Sequence, residues 1–267
     1  MDKLSIPKFE TKKELYKFLV ENEPSLVAQK CATIKLADGF ACNLPSVQRD
    51  FVVGKSTAET GVDQIKVKAV INTTGIMDSH DDVHIKGLWD NSLKENKGIM
   101  MLQEHRSNQF DKIIASGEDL KAYVKDYSWK DLGYNVEGTT EALVFDATVK
   151  AARNPYMFAQ YKNGYVDNHS VGMMYSKIKL AVNDEDYITA KQIWDQHIDE
   201  IANKDAAEAQ GYFWVVYEAK VIEGSAVPNG SNPITPTLEV KNFKSGGDEN
   251  VPEESAKLKA IRKFLES

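Results

Sequence analysis

Two periodicities divide the chain. Near the N-terminus Leu15, Phe18 and Leu19 recur at helical spacing, and Thr11 with Glu14 forms a T-x-x-E capping box ahead of them. Pro24 interrupts that pattern, and residues 38–62 mix Gly, Pro, Ser and Thr without a period, reading as a loop or connector. From about residue 62 the period becomes two. In QIKVKAVINT, Ile65, Val67, Ala69 and Ile71 alternate with Lys66 and Lys68, as in a half-buried strand. ALVFDATVK (142–150) alternates in the same way, with Leu143, Phe145, Ala147 and Val149 on one face, and SKIKLAV (176–182) repeats it. GIMML (98–102) is a short continuous apolar run of the kind that makes a buried strand. RNPYMFAQYKNG (153–164) predicts a short helix stopped by Gly164. Ile193, Trp194, His197, Ile198 and Ile201 make a stripe that predicts one long helix over 184–209. A last strand, YFWVVYEAKVIEGSAV (212–227), alternates so that Val215, Tyr217, Ala219, Val221 and Glu223 share a face. Glu223 thus ends an apolar face, and a buried carboxylate needs a partner.

Beyond PNGSNPITP the chain becomes a polar linker, KSGGDENVPEES, followed by an amphipathic stretch with Leu258, Ile261 and Leu265 at helical spacing. The expected organisation is an N-terminal helical extension and connector (1–61), a β-rich α+β core (62–240), and a polar linker with a terminal helix (241–267). The terminal helices mix charges of both signs on their polar faces, which suits docking or capping better than membrane binding.

Composition narrows the classes. The 267 residues are 42% hydrophobic and 27% charged, enough apolar content to bury a core. The net charge of −7, from 40 acidic against 33 basic residues, disfavours a dedicated nucleic-acid binder. The two cysteines, Cys31 and Cys42, have no metal-ligand spacing and read as free thiols in a reducing compartment. The first residues hold no apolar run, so neither a secretory signal nor a membrane span is expected there. The expectation is a soluble, intracellular protein.

Three polar residues sit at the ends of apolar strands: His105 after GIMMLQE, Ser170 at the start of SVGMMYSKIKLAV, and Glu223 late in the last strand. A hydrolytic serine needs a base within hydrogen-bond reach and a third group to orient that base, and these three supply the types. They lie tens of residues apart, so only the fold can bring them together. No G-x-S-x-G elbow is present, which leaves an ordinary α/β-hydrolase unsupported. The bland readings are a strand-start hydroxyl for Ser170 and solvated strand ends for the other two. Lys220 is a poor partner for Glu223, since three residues along a strand is the opposite face. A second cluster, Asp78 with SHDDVH (79–84), offers metal-ligand types, with His80 and His84 on one face, although Gly75 and Gly87 around it suggest a loop. His197, within an apolar stripe, reads as a packed histidine.

Four segments taken in order, GIMDSHDDVHIKGLWDNSLKEN, MMLQEH, YVDNHSVGM and YEAKVIEGSAVPNGSNP, resemble the prohead (capsid maturation) proteases of tailed bacteriophages over roughly residues 62–240. The family pattern runs from an Asp-containing loop to a strand ending in His, then a Ser at a strand start, then a strand ending in Glu-x-Ser-x-Val before a Pro/Asn-rich turn. The chain departs from it in the loop DSHDDVHIKGLW and in the enlarged segment 184–209.

The resemblance implies an assemblin-like serine protease fold, a closed or partly open β-barrel with a few helices. It implies Ser170 as nucleophile, His105 as general base and Glu223 as the group orienting the histidine. Related viral proteases use a second His in the third role. His169 is adjacent to the serine, but neighbouring strand residues point to opposite faces. The implied substrates are the major capsid and scaffold proteins, and the chain itself, within a procapsid in the host cytoplasm. No cofactor, metal, membrane or specific nucleic acid is expected, and self-association is open. Two rival readings are a non-catalytic scaffold or shell-binding protein that keeps the protease fold, and a metal-dependent hydrolase built on residues 78–84.

Overall fold

The computed structural model describes residues 6–35, 62–95 and 98–243. The connector 38–62 and the terminal amphipathic stretch therefore fall outside the described residues, apart from Val62. The first helix, α1 (Lys12–Glu21), starts on the capping box: Glu14 N–H donates to the Thr11 hydroxyl, and Thr11 N–H to the Glu14 carboxylate. Pro24 does not end the helical region. It stands in the first turn of a second helix, α2 (Glu23–Ala32), where its missing N–H costs nothing.

The remaining order is β1 (Gln64–Thr73), β2 (Asp82–His84), α3 (Asp90–Glu95), β3 (Met100–Gln103), β4 (Ile113–Ser116), β5 (Leu120–Ser128), β6 (Thr139–Lys150), α4 (Pro155–Lys162), β7 (His169–Val182), α5 (Ile188–His197), α6 (Lys204–Gln210), β8 (Tyr212–Ala226) and β9 (Thr237–Phe243). One sheet has four strands in the order β5-β6-β1-β9. The other has five: β8 is its long spine, paired antiparallel with β7 along one edge and with β2 and then β3 in parallel along the other, with β4 outside β3. The class is mixed α+β, and the two sheets are not closed into a barrel.

The main core takes Ile65, Val67, Ala69 and Ile71 from β1, Leu143, Phe145, Ala147 and Val149 from β6, and inward residues of β7 and β8. Those are the faces that the alternation predicts. Tyr16, Leu19 and Leu26 of the N-terminal helices are buried in the same cluster. A smaller cluster joins α5 to Phe213 and Val215.

Three sequence expectations change. The long helix of 184–209 is broken between His197 and Lys204. Its chain is pulled aside there, because Ala202 N–H bonds Gly75 O and the Asn203 side chain bonds both backbone groups of Met77. Residues 82–84 form a short strand, not a loop. The β7–β8 ladder has three register shifts, and the two that skip a residue of β8, between Lys177 and Ile178 and between Gly172 and Met173, interrupt the single alternation along that strand. Val215 consequently faces the α5 cluster while Ala219 and Val221 face the main core. After the second shift Gly224 turns to the core, against Phe145 and Ile71, and Glu223 moves to the other face.

Candidate active site

Three neighbouring strands, β3, β8 and β7, carry the expected residues to one place. In the β7–β8 ladder Ser170 is opposite Ser225 and Gly172 opposite Glu223; in the β3–β8 ladder Met100 is beside Glu223 and Leu102 beside Ser225. Glu223 and Ser225, two apart, share a face, and directly opposed residues of an antiparallel pair point the same way. Ser170 therefore projects on the same side as Ser225 and Glu223, with Cβ atoms of such opposed pairs about 4.5–5.5 Å apart.

His105 reaches this face by a backbone turn. Glu104 and His105 both have left-handed backbone, with φ of 53° and 58°. Neither is glycine, so the pair stores strain, on the order of 1–3 kcal/mol per residue. The turn is held by Glu104 N–H on Ala226 O (3.0 Å) and His105 N–H on the Ser225 hydroxyl oxygen (3.1 Å). It folds the imidazole over β8, where Nδ1 lies 2.6 Å from Glu223 Oε1. An ionised carboxylate only accepts, so the proton of the neutral ring is on Nδ1 and Nε2 carries the lone pair. The other carboxylate oxygen, Oε2, accepts from the Ser225 hydroxyl at 2.6 Å. The His105 and Glu223 side chains are only 8% and 5% exposed, and Ser170 is buried.

Gly172 lies against the Glu223 carboxylate, and a Cβ there would overlap Glu223 Oε1. The missing side chain makes room for the carboxylate.

His169 is on the opposite side of β7. It is fully buried between the Tyr161 hydroxyl and the Thr235 backbone carbonyl, each 3.0 Å away, and burial lowers its pKa to about 4. It remains neutral and ties β7 to α4 and to the segment entering β9. His197 is likewise packed, with Nε2 2.8 Å from the Tyr217 hydroxyl.

The acidic cluster of residues 78–84 lies apart, with two lysines on Asp78 and Asp82 and the Tyr212 hydroxyl donating to Asp81, whose pKa burial raises to about 6. Lys35 pairs with Asp78 and, at 2.6 Å, with Asp82, and Lys30 reaches the other oxygen of Asp82 at 2.5 Å. Burial alone would push the Asp82 carboxyl up, but the two lysines hold it well below the usual carboxylate range. The Tyr175 hydroxyl also donates to Asp82, and His84 sits between Asn72 and Tyr175, its pKa lowered to about 4 chiefly by burial. Among the described residues no group of three or more His, Cys, Asp or Glu side chains is placed to hold a metal ion. Lys35 also makes a two-way backbone bridge to Met173, so the network fastens the N-terminal segment to β7 near Ser170. Cys31 is a free thiol and Cys42 lies outside the described residues. No described helix is long and apolar enough to cross a membrane.

Sequence reasoning missed Ser225, the left-handed turn at 104–105, and the fit of Glu223 over Gly172. A signal for the first was present: E-x-S in a strand puts both side chains on one face. Compared with protein-family models, with curated proteins and with solved structures, the chain matches none of them.

Proposed function

We propose that the chain is a serine endopeptidase with Ser170 as nucleophile, His105 as general base and Glu223 as the group that orients the histidine. The observation that carries this reading is the 2.6 Å contact between His105 Nδ1 and Glu223 Oε1, on the face of β8 to which Ser170 projects from β7. Glu223 sets the ring tautomer, which leaves Nε2 to act on a hydroxyl.

In the reaction His105 Nε2 takes the Ser170 proton as Oγ attacks the scissile carbonyl carbon. The C–N bond then breaks and the imidazolium gives that proton to the leaving amine. A water, deprotonated by the same nitrogen, attacks the acyl-serine and frees the carboxylate product, and Ser170 recovers its proton. Glu223 stabilises the imidazolium in both halves.

By its resemblance to prohead proteases the enzyme would process capsid and scaffold proteins, and itself, inside a procapsid. An assemblin-type arrangement of the two sheets belongs to the same proposal. Intact mass followed over time on concentrated wild type beside Ser170→Ala tests it: the wild type shortens and the variant does not. Equal behaviour of the two contradicts a serine mechanism at this residue.

The carboxylate above Gly172 makes a second test. Gly172→Ala should displace Glu223 and lower kcat by about 100-fold, the cost of a misplacement near 1 Å. Peptide hydrolysis together with thermal unfolding checks it, and a folded variant of unchanged activity would sink the packing argument.

A further inference from the structure

Ser225 does two things at once in this site. Its oxygen accepts the His105 backbone N–H at 3.1 Å, and its proton goes to Glu223 Oε2 at 2.6 Å. It is completely buried and directly opposite Ser170. The first bond fastens a histidine whose backbone, at φ 58°, is in a conformation that L residues avoid. The second leaves the Glu223 carboxylate with one oxygen for Ser225 and the other for His105 Nδ1, which fixes its rotation about the final side-chain bond. Glu223 Oε1 is further confined by its approach to Gly172. One hydroxyl thus sets both members of the His105–Glu223 pair.

We infer that Ser225 is a positioning residue, a fourth member of the site that aligns base and carboxylate without touching substrate. The inference rests on the proposed serine peptidase, whose three named residues do not include it. A hydroxyl at a strand position is commonly a local backbone cap. Ser225 differs in bonding two groups from two places, the turn after β3 and its own strand, and both belong to the site.

The test compares Ser225→Ala, Ser225→Val and Ser225→Thr in the full chain. Val and Thr are nearly the same shape and differ in the hydroxyl, so packing changes cancel between them. Peptide hydrolysis should show kcat down by about 100-fold in Ala and Val with KM little changed, and recovery in Thr. In proton NMR the hydrogen-bonded His105 Nδ1 proton, assigned by its loss in His105→Ala, should persist in wild type and Thr and be lost or displaced in Ala and Val. An Ala variant with wild-type kcat and an unmoved Nδ1 proton overturns the inference. So does a Thr variant as impaired as Val. If wild type and Ser170→Ala are equally inactive, the peptidase reading fails, and the NMR comparison still decides whether Ser225 positions His105.

Discussion

Peptide hydrolysis is expected to fall by about four orders of magnitude in His105→Ala and by only about 100- to 1,000-fold in Glu223→Gln. The inequality follows from the hydrogen bonds. Removing the imidazole leaves Ser170 without a base, so nothing takes its proton as it attacks. Glutamine at 223 keeps the shape of the side chain. Its carbonyl can still accept from His105 Nδ1, and its amide can donate to Ser225, whose hydroxyl rotates to accept. The tautomer and the geometry survive, and what is lost is the negative charge that stabilises the imidazolium. Steady-state kinetics on a peptide substrate, with circular dichroism to confirm folding, checks both numbers. A Glu223→Gln enzyme as fast as wild type would remove Glu223 from the mechanism.

The largest expected effect on stability is at Lys35. Its ammonium and the Asp78 and Asp82 carboxylates are almost out of contact with water, the lysine side chain 11% exposed and the aspartates 0% and 1%. Burial by itself would lower the lysine's pKa; the two aspartates raise it instead, so the cation is kept. Lys35→Met removes that cation while the carboxylates stay buried, with Lys30 still on Asp82 and, among the described residues, only the backbone N–H groups of His80 and Asp82 on Asp78. Breaking a buried pair in this way costs about 3–5 kcal/mol. Urea unfolding should show that loss, and Asp78→Asn added to Lys35→Met should return much of it by removing the orphaned charge. Loss below about 1 kcal/mol would mean that water reaches the network freely. The bridge from Lys35 to Met173, three residues along β7 from Ser170, is made by backbone groups that the substitution keeps, so the variant should retain activity at temperatures where it stays folded.

Much of the fold can be read from side-chain period alone. The alternation in β1 and β6, the capping box of α1 and the short helix ended by Gly164 each depend on neighbours close in sequence, and each is found. The break between α5 and α6 could not be read. It depends on Asn203 satisfying the backbone of Met77, a partner more than a hundred residues away. The faces of β8 were misread for a related reason. A bulge inserts one residue without changing local composition, so strict counting puts Glu223 and Ser225 on the face of Val221, and the register shift at Gly172 turns both to the opposite face, that of Ser170. The three residue types stood out through the resemblance, since a His, Ser or Glu at a strand end is ordinary by itself. Their alignment was not, because it comes from a strained turn at two non-glycine residues and from pairing across three strands.

The proposed reaction makes Ser170 a nucleophile activated by His105. A fluorophosphonate, which reacts with activated serines, tests it most directly when the wild-type chain is labelled and the modified residue located by peptide mass mapping. One phosphonylated residue is expected, Ser170, with labelling absent in Ser170→Ala and strongly slowed in His105→Ala. Labelling at Ser225 or elsewhere, or none in the folded wild type, would contradict it.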